Sequence, residues 1–199
     1  MNNFSLEPVD VLVQIITGNS PYNVIKRSAL GNPYEHVFMY LGKVGILVSR
    51  RQPRILRFPM LFESNGRGVV IQALSNRYGQ EVVVMRLISE HDRRRIGRVL
   101  EEAVKLASDP RAHYDYLCIV KYILPRLICE KLRLPMPLEY HRDPWHVCSE
   151  GVNEVYHRAG VDLLPSDIVP LPGDFVESDS LIKVWQGTLT EGSIGGGYA

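Results

Sequence analysis

Five consecutive large apolar residues, Val37-Phe38-Met39-Tyr40-Leu41, follow a single histidine, His36, and stop at Gly42. Successive side chains of a strand point to opposite faces, so a run that is apolar at every position needs cover on both sides. The segment therefore reads as a central strand of a sheet with packed layers above and below it. Other β-rich runs surround it: residues 10–16 before it, 69–74 and 81–87 after it, and 180–185 near the C-terminus. Asn65-Gly66 separates the run that ends at Glu63 from the one that begins at Val69. Asn-Gly between two such runs is the strongest short-range hairpin signal, so a central antiparallel sheet is expected.

Helical periodicity occupies the spaces between these runs. Residues 22–30 suggest a short helix ended by Gly31-Asn32-Pro33. Ser89-Glu90-His91-Asp92 resembles a capping box. Beyond it Ile96, Val99, Leu100, Ala103 and Leu106 share one helical face, which Asp109-Pro110 terminates. Arg93, Arg94 and Arg95 stand near the start of that helix and read as its solvent face. A helical segment from residue 116 onward carries Cys118 and Cys129, and Pro125 must kink or divide it. Pro135, Pro137 and Pro144 mark a loop-like approach to a further helix. That helix starts at Cys148, places Val152, Val155, Tyr156 and Ala159 on one face, and stops at Gly160. Residues 186–199 read as a glycine-rich, mobile tail. The whole chain, 1–199, is expected to form one α+β domain with its core in about 10–185.

Composition narrows the classes of function. Of 199 residues, 45% are hydrophobic and the formal net charge is +1, which suits a globule and gives no basic excess for nucleic acid. The basic stretch Arg50-Arg51-Gln52-Pro53-Arg54 reads as a solvated loop. The first eight residues lack a basic region followed by an apolar run, so no secretory signal is expected and the chain reads as cytoplasmic when synthesised. Lys121, Pro125 and Arg126 interrupt the most apolar stretch, 116–129, which is too short to span a bilayer. Three cysteines without regular spacing suggest a reducing compartment, with neither a disulfide framework nor a zinc site. No metal or other cofactor is expected.

The chemistry concentrates at Cys148. A thiol in the first turn of a helix meets unpaired backbone N–H groups and the positive end of the helix dipole. That environment lowers a cysteine pKa from about 8.5 toward neutrality and exposes the nucleophilic thiolate. The plain alternative is an inert core cysteine, since free cysteine is among the most buried residue types. His36 stands at the entrance of the central strand and Glu63 at a strand end beside a tight turn. Each has an equally plain reading, as a hydrogen-bonded edge histidine and an exposed charge.

Four segments in this order resemble a known family: Asp10-Val11-Leu12-Val13; Glu35-His36-Val37-Phe38-Met39-Tyr40-Leu41-Gly42; Phe62-Glu63-Ser64-Asn65-Gly66-Arg67-Gly68-Val69; and Val147-Cys148-Ser149-Glu150-Gly151-Val152. Together they are similar to the circularly permuted branch of the NlpC/P60 papain-like amidases, the YiiX/YaeF type. In that branch the histidine precedes the cysteine. The resemblance implies a permuted papain-like fold in which the nucleophile-bearing helix packs against the antiparallel sheet. It also implies Cys148 as nucleophile, His36 as general base and Glu63 as the carboxylate that orients the imidazole. Tyr114, in His113-Tyr114-Asp115-Tyr116, matches the family tyrosine near the thiol, which could donate to an oxyanion.

The chain departs from the pattern at Glu35, where the family has serine, at Ser64, where it has a small alanine, and at Gly151, a usually hydrophobic helix position. Residues 123–137 look like an insertion. The implied activity is hydrolysis of an amide through a thioester, with a peptide or cell-wall fragment as partner. A phage particle or secreted effector would suit such a protein without a secretory signal. The alternatives are acyl hydrolysis or transfer on lipid, as in the lecithin–retinol acyltransferase-like branch, with 116–129 as an interfacial helix, and a non-catalytic structural or binding module on the same fold.

Overall fold

The computed structural model describes residues 4–47, 55–135 and 146–194. The basic Arg50–Arg54 stretch and the approach at Pro137 and Pro144 lie outside them. In chain order the elements are β1 (Val11–Ile15), α1 (Pro21–Leu30), β2 (Tyr34–Leu47), β3 (Ile55–Asn65), β4 (Gly68–Ala73), β5 (Glu81–Leu87), α2 (Glu90–Arg93), α3 (Ile96–Ala107), α4 (Tyr116–Cys118), α5 (Leu124–Leu132), α6 (Cys148–Arg158), α7 (Asp174–Glu177) and β6 (Leu181–Thr188). The strands form one six-stranded sheet in the order β4-β3-β2-β1-β5-β6, and every pairing is antiparallel. The fold is thus mixed α+β around an antiparallel sheet, with β2 inside it.

Alternation along the strands builds two cores. Val11, Val13, Val37, Met39, Phe62, Val83 and Met85 pack with Val99, Ala103 and Leu106 of α3 and with Val152, Val155 and Tyr156 of α6. The intervening positions Leu12, Phe38, Tyr40, Leu61, Val82 and Val84 pack with Leu6, Leu74, Leu189 and Ile194 on the other face. This two-sided burial explains the unbroken apolar run in β2, where Val37 through Tyr40 are at most 3% exposed. Burying a side chain of this size contributes about 1.5–3 kcal/mol.

Local chemistry sets the element ends. Ser20 caps α1, its hydroxyl accepting the Asn23 N–H at 3.2 Å, and Gly31 closes the helix with φ 70°. Ser89 accepts the Asp92 N–H at the start of α2. Gly160, at φ 80°, ends α6 and lets the Val161 N–H reach the Tyr156 carbonyl at 2.9 Å. Arg95 does more than face solvent: its guanidinium donates to the Ala159 and Gly160 carbonyls, placing a cation at the negative end of α6. Pro125 divides the helical segment as its missing N–H requires. A π turn over Ile119–Ile123 precedes it, and Pro125 stands in the first turn of α5, where no N–H partner is needed.

The C-terminal stretch differs from the expectation of a mobile tail from residue 186. Residues 186–188 belong to β6, Leu189 is fully buried, and a 3-10 turn, Glu191–Ile194, follows. The Ser193 carbonyl accepts the Leu6 N–H at 3.1 Å, so apolar contacts and backbone pairing fix this stretch against the N-terminus. Residues 195–199 lie outside the described ones. Among the described residues, no helix is long and apolar enough to cross a membrane.

Candidate active site

The site forms where β2 and β3 part. Their ladder runs from Leu47↔Ile55 to Met39↔Phe62. The Tyr40 N–H is spent on the carbonyl of Asp10, just before β1, at 2.9 Å. By the two-residue alternation of a strand, the Val37 N–H therefore faces the β3 side, beyond the end of that ladder. The N-terminus of α6 occupies this gap. Cys148, its first residue, receives the N–H groups of Val37 and Ser149 at sulfur and a hydrogen bond from His36.

Two small residues, at positions 151 and 64, allow this approach. A Cβ on Gly151 would lie 3.3 Å from the Ser64 Cβ and 3.9 Å from the Phe62 ring, so glycine lets α6 rest against β3. Ser64 is fully buried, and its hydroxyl donates to the His146 carbonyl, pinning the segment that precedes Cys148. Glu150, three residues beyond Val147, accepts the Val147 N–H at 2.8 Å and so supplies the carboxylate half of a capping box. Ser149 fixes the first turn from the other side by donating to the Pro170 carbonyl at 2.7 Å.

His36 and Glu63 come together on the sheet face that also carries Phe38. His36 Nε2 lies 2.9 Å from Glu63 Oε2, which leaves the other ring nitrogen for Cys148. Glu63 is fully buried and saturated with donors. Its Oε1 accepts from Asn65 Nδ2 at 2.7 Å and Gln72 Nε2 at 2.6 Å, and its Oε2 accepts from Arg77 Nε at 3.0 Å. Burial alone would raise this carboxyl, but the bonds and charges of His36, Asn65 and Arg77 hold it below the usual range.

Charge then passes to His36 and Cys148. Burial opposes the imidazolium, yet Cys148 and Glu63 outweigh it and raise His36 from 6.5 to about 9. Burial likewise opposes the thiolate, and attraction to His36 together with the two backbone N–H groups holds the thiol below its ordinary value. Both shifts favour the thiolate–imidazolium form of the pair, with Cys148 8% exposed and the His36 side chain 16% exposed.

Cys148, His36 and Glu63 thus converge. Tyr114 packs with Cys118, Val147 and Val169, of which Val147 immediately precedes Cys148. Glu35 is engaged elsewhere, pairing with Lys26 of α1 and accepting from Gln14 Nε2 at 2.7 Å. Sequence reading missed Asn65, Gln72 and Arg77 as partners of Glu63. Gln72 left a trace, a polar residue in the otherwise apolar run Val69-Val70-Ile71. Arg77 left none, because a 3-10 turn, Leu74–Arg77, carries it back over Glu63 and has no sequence period.

Among the described residues, Asp115, Cys118 and Glu150 are gathered closely enough to be tested as metal donors, with their ligand atoms within 4.8 Å of one another. In the structure these donors are engaged within the chain. Asp115 Oδ1 caps the Cys118 N–H at 2.9 Å, Glu150 Oε2 caps the Val147 N–H, and the Cys118 thiol donates to Glu150 Oε1 at 3.2 Å. These bonds account for the cluster as a brace between α4 and α6.

No protein-family model matches the chain, and no curated protein matches it by sequence. In structure it is similar to the crystal structure of the metalloprotein YiiX from Escherichia coli O157:H7, a DUF1105 protein. The TM-score is 0.59 and the identity 16%, over 94% of this chain and 100% of that one. At that identity the likeness supports a related fold.

Proposed function

We propose that this chain is a cysteine amidase with a permuted papain-like fold, related to the YiiX/YaeF type of NlpC/P60 protein. The observation that carries the reading is the connected line Cys148–His36–Glu63, with the sulfur at the start of α6. The order of the sequence segments and the likeness to YiiX support it further.

The chemistry follows from these groups. The Cys148 thiolate adds to the substrate carbonyl carbon, and the negative charge moves to the carbonyl oxygen. The Cys148 backbone N–H, at the head of α6, is the natural donor to that oxyanion. Collapse breaks the C–N bond, and the His36 imidazolium gives its proton to the leaving amine. A thioester on Cys148 and a neutral imidazole remain. His36 then takes a proton from water as the water oxygen adds to the thioester. Collapse of this second adduct releases the carboxylic acid and restores the thiolate–imidazolium pair. No step runs through a metal. The substrate class we favour is a peptide of the peptidoglycan type.

One observation favours a second substrate class. Leu117, Leu124, Ile128 and Leu132 are about half-exposed on the α4–α5 segment, whose inner side packs on Val147. An apolar surface beside the nucleophile suits lipid acyl groups. Soluble peptidoglycan peptides and phospholipid vesicles, each incubated with the protein and with Cys148→Ala, distinguish the two. Amine release with a thioester adduct on Cys148 supports the amidase, whereas fatty acid release supports the lipid enzyme. Neither product, with no adduct from either substrate, would leave a non-catalytic module.

A further inference from the structure

The carboxylate of Glu63 is oriented twice over. Asn65 and Gln72 hold Oε1 at 2.7 and 2.6 Å, while His36 and Arg77 share Oε2. Arg77 is thus not needed to aim the carboxylate. It brings charge instead: its Nη2 lies 3.1 Å from His36 Nε2, the nitrogen that carries a proton when the reacting pair is charged. Two cations so close repel each other, and the carboxylate between them offsets that repulsion. The guanidinium rests on the Phe38 ring, 5.5 Å from its centroid, and is held there by more than Glu63.

The other groups around His36 are accounted for. Cys148 faces it from α6 and Glu63 from β3. The neighbouring Glu35 is neutralised by Lys26 of α1, and Gln14, opposite His36 in the β1–β2 register, is bonded to Glu35. Arg77 is the cation that opposes the imidazolium.

We propose that Arg77 is a positioning residue that acts on His36 through Glu63, sharing the carboxylate's charge and thereby setting the pH at which the Cys148–His36 pair discharges. This rests on reading Cys148 and His36 as the reacting pair. Arg77 trims the pair so that His36 can surrender its proton to a leaving group instead of being locked by an undivided carboxylate. Both consequences of removing the guanidinium have one sign. The repulsion on the imidazolium disappears, and Glu63 Oε2 becomes wholly available to it, so His36 holds its proton to higher pH.

The test is NMR titration of the His36 ring, identified by its loss in His36→Gln, in the wild type and in Arg77→Met, Arg77→Gln and Arg77→Lys. The expected result is a His36 midpoint moved upward by roughly one pH unit in the Met and Gln variants, and close to wild type in the Lys variant, which keeps the charge. A residue that only braces Glu63 would give another pattern, since Gln can keep a hydrogen bond to the carboxylate. A His36 midpoint unchanged or lowered in Arg77→Gln overturns the proposal, and that variant decides the matter if Arg77→Met does not fold. Alkylation of wild-type Cys148, scored on its own peptide by mass spectrometry, is read in parallel. An unreactive Cys148 would sink the enzyme reading, whatever the titration of His36 shows.

Discussion

His36 Nε2 lies 2.9 Å from Glu63 Oε2, and the carboxylate is fully buried while the imidazole retains a 16% exposed edge. The histidine thus has one nitrogen committed to the interior and the other directed at Cys148. Glu63→Gln tests what the charge contributes beyond orientation. The amide is nearly isosteric but cannot stabilise the imidazolium, so His36 should titrate below its wild-type value of about 9. Cys148 alkylation at neutral pH should slow by roughly 10- to 100-fold. An unchanged rate would assign Glu63 a purely structural role.

Replacing His36 itself should abolish the activation. In the wild type the thiolate should form well below about pH 7.5. In His36→Ala the midpoint of Cys148 alkylation should return to about 8.5 or above, because burial then acts on the sulfur without an opposing cation. Mass spectrometry of the Cys148 peptide separates this thiol from Cys118 and Cys129. A midpoint near about 8.5 in both proteins would end the hydrolase reading.

The pair also leaves a mark on stability. Taken alone, His36 is raised from 6.5 to about 9, so its stabilisation is complete below 6.5 and is lost as pH rises through about 9. Taken alone, Cys148 is lowered from 9.0, so its stabilisation is complete above 9.0 and is lost as pH falls through the folded value. Between 6.5 and 9 the two slopes oppose, and the pair carries one proton in both the folded and the unfolded chain. The difference in Tm between wild type and His36→Gln should therefore be flat from about pH 7 to 8.5 and shrink below about 6.5. A steady slope across the flat interval would mean that only one of the two groups is shifted in the folded protein.

The seat of α6 against β3 is sterically tight. A methyl group at position 151 would meet the Ser64 Cβ at 3.3 Å, a contact that one neighbour must relax. Gly151→Ala should cost about 1–2 kcal/mol in urea melts, despite the better helix propensity of alanine, and should weaken the Cys148–His36 contact. Slower alkylation would accompany the loss. A Gly151→Ala protein that is more stable than wild type and equally reactive would show that the seat is loose.

Glu150 provides a separate check on the helix start. Glu150→Ala removes the acceptor of the Val147 N–H and of the Cys118 thiol, and should cost about 1–2 kcal/mol. Glu150→Gln, which keeps a carbonyl acceptor, should cost less. Equal losses in urea melts would place the effect elsewhere than in the cap.

Much of the architecture was legible because it rests on local rules. The unbroken run after His36 marked an interior strand, Asn65-Gly66 marked the β3–β4 turn, and the spacing from Val152 to Ala159 with Gly160 marked α6. Cys148, His36 and Glu63 were named from the order of the segments that carry them, and they meet in the fold. What stayed hidden depends on contacts between distant segments. Nothing in the sequence near Arg77 shows that its guanidinium returns to Glu63, and the pairing of Cys118 with Glu150 requires α4 and α6 to be docked. The C-terminus misled for the same reason: glycine suggested freedom, while Leu189 and Ile194 are held by a core that no local window displays.

The parting of β2 and β3 also sets when the thiol meets its partners. His36, Glu63 and Arg77 all precede Cys148 in the chain, so synthesis completes the imidazole and its partners before the thiol emerges. Until α6 enters the gap, Cys148 lacks both the imidazole and the Val37 N–H and behaves as an ordinary thiol. On the proposed reading, a Cys148 more reactive than an ordinary thiol would itself report the docking of α6.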